Sequence, residues 1–547
     1  MPGEAIDIYE AINQPPPSFG RNLFETDPIL IGALETLLGS EVEGELGRIG
    51  AYWGSAEAFE LARLANENAP VLNTFDRYGR RQDSVEFHPA YHALMRRSVE
   101  NGLHSAIWEE DSDLAGHRHA VRAAALYMTS QTEGGHVFAL STTSAAVAAL
   151  RANRPVMGDW LKFVRTRRYD HRPLAKEDKH GVTIAVAFAE REAGTDLRAV
   201  ATRAEPVEEG VWRLDGHKWF VSSPMADAFV VLAQTPQGPS LFLVPRVTDD
   251  GLPNGVRLDR LKAKLGNRAN ATAEIAFDGA LGHLLGEPGR GITVAAPLSA
   301  LVRLDGALAA AGLMRAGLVE AVHYARHRRV FGSLLIEEPL MLRVLADLAL
   351  DSLAATALVM RLALAYDAGA KDPHEAAFAR IMTPAAKYWI TKTAPAFLQE
   401  AMECVGGNGC VEDGLLPRLY RDAPLHALWG GGGNLLCLEI ARMVSSDPAA
   451  LNAALAEIAR DVDVDGPISV VDIRSAAAAA VSDPGTSRIL TEQLALAGAA
   501  AALHKFAPRV LADAFVAGRL AGSWRATYGI AESRFDTAAI VDFAVQQ

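Results

Sequence analysis

Cysteine is scarce: Cys404, Cys410 and Cys437 are the three thiols in 547 residues. They make no Cys-x-x-Cys pair and no His-rich cluster joins them, which excludes a disulfide framework and a zinc site of familiar spacing. Reduced thiols in a cytoplasmic protein are expected, with no metal. Positive charge is also in deficit, with 53 Lys and Arg against 66 Asp and Glu and a formal net charge of -13. Such a surface does not attract a polyanion as a whole, because phosphate binding draws on Lys and Arg that displace counterions. Long unbroken apolar runs are missing too. The stretch from Leu348 to Ala370 is interrupted by Asp351, Arg361 and Asp367, so it reads as a buried helix and not as a membrane span. The chain start meets Asp7 and Glu10 before any apolar run, and no secretory signal is expected.

What is present is apolar mass: half the residues are hydrophobic, enough for several cores of about 150 residues each. Pro15, Pro16 and Pro17 followed by Gly20 mark residues 1–27 as an irregular arm. Residues 28–182 read as helical, with Ala- and Leu-rich segments and charges spaced between apolar positions. The period then changes, and a β-domain is expected over 183–288, with strands at Phe229–Ala233, Ser240–Val244 and Ala273–Phe277. Asp215-Gly216 between Val211–Leu214 and Lys218–Val221 is read as a hairpin turn. Leu304, Leu308, Ala311, Leu318, Val322 and Ala325 recur on one helical face and open a helical domain over 289–445. A further helical block, 446–547, contains Ala476–Ala480 and the Asp483-Pro484-Gly485 turn. Contiguous strands between helical blocks make the fold class α+β.

Four segments carry a more specific signal. They are Ala187-Phe188-Ala189-Glu190-Arg191-Glu192-Ala193-Gly194-Thr195-Asp196, Gly216-His217-Lys218-Trp219-Phe220-Val221-Ser222-Ser223, Arg328-Arg329-Val330-Phe331-Gly332, and Glu403-Cys404-Val405-Gly406-Gly407-Asn408-Gly409-Cys410 with Arg418 and Asp422. In content, order and spacing they resemble the acyl-CoA dehydrogenase family. Tyr78-Gly79-Arg80-Arg81, Phe87-His88-Pro89-Ala90, Trp108-Glu109-Glu110-Asp111, Leu265-Gly266-Asn267-Arg268 and Leu416-Pro417-Arg418-Leu419-Tyr420-Arg421 resemble its AidB-like, alkylation-response branch.

The resemblance implies FAD as cofactor and an acyl-CoA dehydrogenase-like fold with an extra C-terminal helical block. It places Phe188, Glu190, Gly194 and Thr195 at the flavin and its pyrophosphate, where glycine admits a close phosphate and a hydroxyl can donate to it. It sets Phe220 against the ring and Ser222 toward N5. It brings Arg328, Phe331, Glu403, Gly406, Gly407 and Asn434 to the cofactor across a subunit boundary, hence a homotetramer built as a dimer of dimers. Taken singly, an arginine at a helix end serves equally to complement the helix dipole, and Trp219 and Phe220 serve equally as alternating strand residues of which one faces a core. Ala189 stands where the family usually has a hydroxyl, and Cys410 where it has a larger apolar residue.

One departure bears on chemistry. Desaturating a thioester requires a positioned base for a weakly acidic proton, and in the family a glutamate after an aromatic residue supplies it. Here the segment reads Trp429-Gly430-Gly431-Gly432-Gly433-Asn434, so Gly430 holds the base position, and the alternative position beside Arg303 is Val302. The expected activity is FAD-linked oxidation of a small organic molecule, a nitrogen-bearing one for example, whose proton is already acidic or is removed by another group, with Asp305, His426, Glu412 and Asp413 as candidates. Asp305 and Arg303 are expected first as a structural ion pair. The alternatives are an AidB-like DNA-binding alkylation-response protein or base-less pseudoenzyme, and a dehydrogenase with an engineered Glu-to-Gly change at 430. From Asp447 onward eight Lys or Arg face twelve Asp or Glu, which ranks DNA below redox chemistry. Filter binding against a salt series is expected to show weak, steeply salt-dependent retention of duplex DNA; tight binding at physiological salt would reverse that ranking.

Overall fold

The computed structural model describes residues 13–35, 40–109, 116–461, 470–521 and 535–546. Glu110, Asp111, Arg525, Arg534 and the first twelve residues of the arm lie outside them. The first helices are α1 (Pro28–Leu34), α2 (Ser40–Trp53) and α3 (Ala56–Glu67), followed by strands β1 (Val71–Phe75) and β2 (Arg81–Glu86). Then come α4 (Pro89–Glu100), α5 (Arg118–Thr132), α6 (Val137–Leu150) and α7 (Arg154–Val164). The sheet comprises β3 (Ile184–Ala187), β4 (Arg203–Glu208), β5 (Val211–Ser222), β6 (Ala228–Thr235), β7 (Gly238–Pro245), β8 (Val256–Leu261) and β9 (Thr272–Leu285). Three long helices follow: α8 (Gly291–His327), α9 (Pro339–Ala368) and α10 (Pro373–Val405), with a two-residue β-bridge (Arg329–Val330 with Ser333–Leu334) after the first. Helices α11 (Leu416–His426), α12 (Gly433–Ser446), α13 (Pro448–Asp461), α14 (Val470–Ser482), α15 (Ser487–Phe506), α16 (Arg509–Arg519) and α17 (Thr537–Ala544) complete the described chain.

Helix boundaries follow local chemistry. Asp27 accepts from the amides of Ile29 and Leu30 with Pro28 at the first turn, and Asp372 accepts from His374 N with Pro373 behind it. An aspartate cap satisfies otherwise orphaned N–H groups, and a proline loses nothing at that position. Helix α10 ends at Gly406 in a left-handed conformation, φ 68°, the backbone state glycine adopts without a Cβ clash.

The middle sheet has the order β3-β6-β4-β5-β9-β7, with β8 on β9 and β6 also paired to β7. Two expectations from sequence are corrected here. The N-terminal block is not wholly helical: β1 and β2 form an antiparallel hairpin, with Tyr78-Gly79 at its tip. Asp215-Gly216 is not a turn but the middle of the twelve-residue strand β5. The strand runs through because both its edges are paired, to β4 and to β9. Gly216 is there for closeness, since a Cβ on it would lie 2.6 Å from Thr202 Cα.

Helices α8 and α9 are long and apolar enough to cross a membrane by length and composition alone, but 94 % of the most apolar window of α9 is buried inside the protein. They are core helices. One continuous apolar cluster joins α5, α8, α9, α10 and the C-terminal helices α13 to α17. The C-terminal block is tied to α9 by charge as well. Arg519 donates to Asp351 Oδ1 at 2.8 Å and to Asp347 Oδ1 at 3.2 Å, all three residues being buried. Arg519→Ala removes a guanidinium that two buried carboxylates share, and a loss of about 3–5 kcal/mol is expected. Guanidinium unfolding reads it, and a loss under ~1 kcal/mol would contradict the assignment.

Candidate active site

Trp429 and the glycine run occupy the turn between α11 and α12, against the middle of α8. Gly430 and Gly431 have φ of 70° and 107°, and a Cβ on Gly430 would stand 3.3 Å from Val302 Cγ1, 3.6 Å from Arg303 Cγ and 3.8 Å from Lys387 Cε. These are glycine conformations in a packed corner. Two cations fix the run: Arg303 Nε donates to Gly430 O at 2.9 Å, and Lys387 Nζ donates to Gly431 O at 2.8 Å. Arg303 is also paired with Glu439 at 2.7 Å. Lys387 is fully buried and, among the described residues, has no carboxylate within ion-pair distance. Burial, assisted by the Arg303 charge, pushes its amine down to about 7.

The expected Arg303–Asp305 pair does not form. Residues two apart on a helix point to opposite sides, and Asp305 turns instead to Arg122 of α5, with Nη1 and Nη2 each 2.7 Å from a carboxylate oxygen. With both oxygens held, Asp305 is structural. Glu412 pairs with Arg421 and Asp413 lies exposed beside it; both line a separate cleft under the N-terminal arm. Of the four candidates, His426 makes the ring contact with Trp429, with centroids 5.7 Å apart.

A small, partly open void of about 10 Å³ lies beside Trp429, lined by Phe138, Ser141, Asn267, Asp305 and His426. Ser141 Oγ, Asn267 Oδ1 and His426 Nδ1 have no hydrogen-bond partner among the described residues. A buried polar atom left unpaired costs about 1–3 kcal/mol, so three around one void of roughly one water's size mark a place built for a polar guest. His426 is kept neutral: burial, with the Lys387 charge second, pushes it down to about 4.

The other sequence candidates fall into two groups. On the β-domain, Trp219 N donates to Ala189 O at 2.9 Å, which draws the 187–196 loop onto β5. Neither aromatic faces a core: Lys218 and Val221 point inward, while Phe220 is 57 % exposed. Ser222 Oγ shares a bond with Thr272 Oγ1 at 3.0 Å. Gly194 and Thr195 are exposed at the loop tip, with open space where a Cβ on Gly194 would stand. Phe188 packs against the same apolar cluster as Val302 and Trp429, linking this edge to the glycine run. Glu190 is a correction: its buried carboxylate takes Lys218 Nζ at 2.5 Å and Thr202 Oγ1 at 2.6 Å, so it braces the loop. Burial opposes that ionisation, but Lys218 more than offsets it and holds the carboxyl below its usual range.

The second group lies at the far end of α8. Arg328 caps that helix, and Phe331 is wholly exposed in a left-handed backbone, φ 49°. Glu403, Gly406 and Gly407 are exposed at the end of α10. The N-terminal arm straps both segments: Asn13 exchanges bonds with Arg328 and Arg329, and Asn408 donates to Gln14 at 3.0 Å. Arg303 and Arg328 are separated by twenty-five residues of one helix, about 37 Å. One extended dinucleotide does not span that gap within a single chain. Asn434, expected at the cofactor, gives its oxygen to Arg488 of α15 at 2.7 and 2.9 Å.

Gly194, Gly406 and Gly407 have open space where a Cβ would stand, and the rings of Phe220 and Phe331 are uncovered, features that fit contact with a dinucleotide. Sequence reading missed Lys387, Ser141 and the void; a lone lysine in the apolar run Pro384–Ile390 of α10 is the one signal that pointed there.

Profiles of known families cover most of the chain. Residues 13–171 match the adaptive response protein AidB N-terminal domain, 185–280 the acyl-CoA dehydrogenase middle domain, and 289–445 the acyl-CoA dehydrogenase C-terminal domain. The putative acyl-CoA dehydrogenase AidB of Escherichia coli is 42 % identical, over 80 % of each chain. Acyl-CoA dehydrogenase family member 11 of Caenorhabditis elegans is 30 % identical over 78 % of this chain and 71 % of its own. The solved Caenorhabditis elegans ACDH-11 in complex with C11-CoA superposes with a TM-score of 0.84 at 25 % identity, covering 98 % of this chain and 93 % of that one.

The buried lysine has a measurable signature. Between about 7 and its usual 10.5 the unfolded chain holds a proton that folded Lys387 does not, so this group's contribution is complete above 10.5 and is lost as pH falls toward 7. Wild type is expected to gain stability from pH 7 to 9 relative to Lys387→Met, by up to about 1.4 kcal/mol per pH unit. Parallel curves in denaturant titrations would refute it.

Proposed function

The chain belongs to the acyl-CoA dehydrogenase family and is an FAD-dependent oxidoreductase, and we propose that it oxidises a small organic molecule without a carboxylate base at the flavin. The observation that carries this reading is the glycine run itself. Gly430 and Gly431 adopt backbone states that L side chains rarely enter, and a Cβ at 430 would press on Val302 Cγ1 at 3.3 Å while meeting Arg303 and Lys387 at ordinary contact distance. The corner is adapted to glycine, which disfavours a competent site with one glutamate removed.

Bound FAD supplies the electron sink, accepting a hydride equivalent from the substrate. Phe220 and Ser222 of β5 would lie along the ring, and Gly194 and Thr195 would meet the pyrophosphate. Arg328, Phe331, Gly406 and Gly407 would come from a neighbouring subunit, in a homotetramer arranged as a dimer of dimers. The 37 Å order of separation along α8 supports sharing of this kind. Arg303 and Lys387 hold the carbonyls of Gly430 and Gly431, so the substrate face is fixed by two cationic donors. Phe138 and Trp429, edge to face at 4.7 Å, form an aromatic wall of the site. FAD reduced there would pass its electrons to oxygen or to a carrier protein. The three free thiols fit a cytoplasmic location, and the acidic C-terminal block disfavours DNA as a partner.

Anaerobic titration of the yellow protein tests the reading. Small neutral nitrogen-bearing molecules are expected to bleach the flavin band, and straight-chain acyl-CoAs to leave it unchanged in both wild type and Gly430→Glu. A left-handed backbone costs a side chain about 1–2 kcal/mol, so the variant is expected to keep FAD with reduced stability. Rapid bleaching of Gly430→Glu by an acyl-CoA would establish a merely deleted dehydrogenase instead.

A further inference from the structure

The void beside Trp429 has a definite chemical polarity. Asn267 Oδ1 is an acceptor. His426 Nδ1 is also an acceptor when the neutral ring carries its proton on Nε2, and Ser141 Oγ either donates or accepts. A guest that satisfies all three presents two donors from one small atom.

Charge narrows the choice further. Lys387 is near enough to depress the His426 ring, so the field at the void is unfavourable to a cation. The Asp305 carboxylate, which lines the void, is unfavourable to an anion, although Arg122 neutralises it in part. A water-sized, uncharged group with two N–H donors meets every condition.

We propose that the void seats the NH2 group of the substrate, and that the substrate is a neutral primary amide or an unprotonated primary amine. This rests on the reading of the site as the flavin's substrate face and deepens it by naming the substrate class. The rest of such a molecule extends past Trp429 toward the glycine run. Ser141, Asn267 and His426 thus become specificity-determining residues, drawn from α6, the loop before β9 and the end of α11.

Calorimetric titration of the FAD-loaded protein at pH 7 tests the proposal with acetamide as probe. N,N-dimethylacetamide lacks the donors, acetate carries a negative charge and ethylammonium a positive one. Acetamide is expected to bind saturably, the other three at least roughly tenfold more weakly, and Ser141→Ala to weaken acetamide about three- to tenfold with FAD retained. His426→Gln, which keeps an acceptor, is expected to retain more acetamide affinity than His426→Leu. Equal binding of acetamide and its dimethyl analogue, no binding of acetamide, or indifference to Ser141→Ala would overturn it. Protein that cannot be loaded with FAD would overturn the flavoprotein reading itself, a separate and visible failure.

Discussion

Helix α8 carries three buried or nearly buried charges in its middle, and each is met by a different part of the chain. Arg303 reaches the glycine run and Glu439, Asp305 takes Arg122 of the N-terminal helices, and Arg315 donates to the carbonyls of Thr26 and Ala544 and lies 3.4 Å from Asp27. An apolar helix surrounded by protein tolerates such groups only when their partners are in place. The three arginine and aspartate contacts therefore specify how the N-terminal block, the site loop and the last helix sit on one spine. Apolar contact alone would leave that relative placement less defined, since burial is non-directional.

The same rule explains why the site is rigid without a carboxylate. Charged donors to carbonyls are among the stronger hydrogen bonds, and two of them fall on successive residues of the glycine run. Glycine would otherwise be the most mobile residue type. Here the freedom is used to enter a conformation and the cations then hold it. The cost appears at Lys387, an ammonium with a carbonyl but no carboxylate to face.

Much of this was legible in the sequence. The helices after Gly291 and the strands around Phe229, Ser240 and Ala273 stand where periodicity put them. Asp215-Gly216 misled because a dipeptide reports a backbone propensity, whereas Gly216 answers to Thr202 crossing beside it, a tertiary fact. Hairpin β1-β2 was hidden among helices because its residues, Arg81-Gln82-Asp83-Ser84 among them, lack an apolar alternation. Asp305 and Glu190 looked available because a sequence shows a carboxylate without its partner, and Arg122 is 183 residues away from the first. Ser141, Asn267 and His426 come from three distant segments, and no spacing rule could have joined them.

The strap formed by Asn13 and Gln14 has a consequence for how the protein is made. Gln14 is held by Asn408, 394 residues later, and Asn13 by Arg329, 316 residues later. Contacts of such separation close late, after the intervening chain has paid its loop entropy. During synthesis on the ribosome the earliest of these residues must wait for nearly the last of the long helices before finding their seat. Arg328 and Arg329 are thus tied to the arm only when the core is finished, and a half-made chain leaves the end of α8 without its strap.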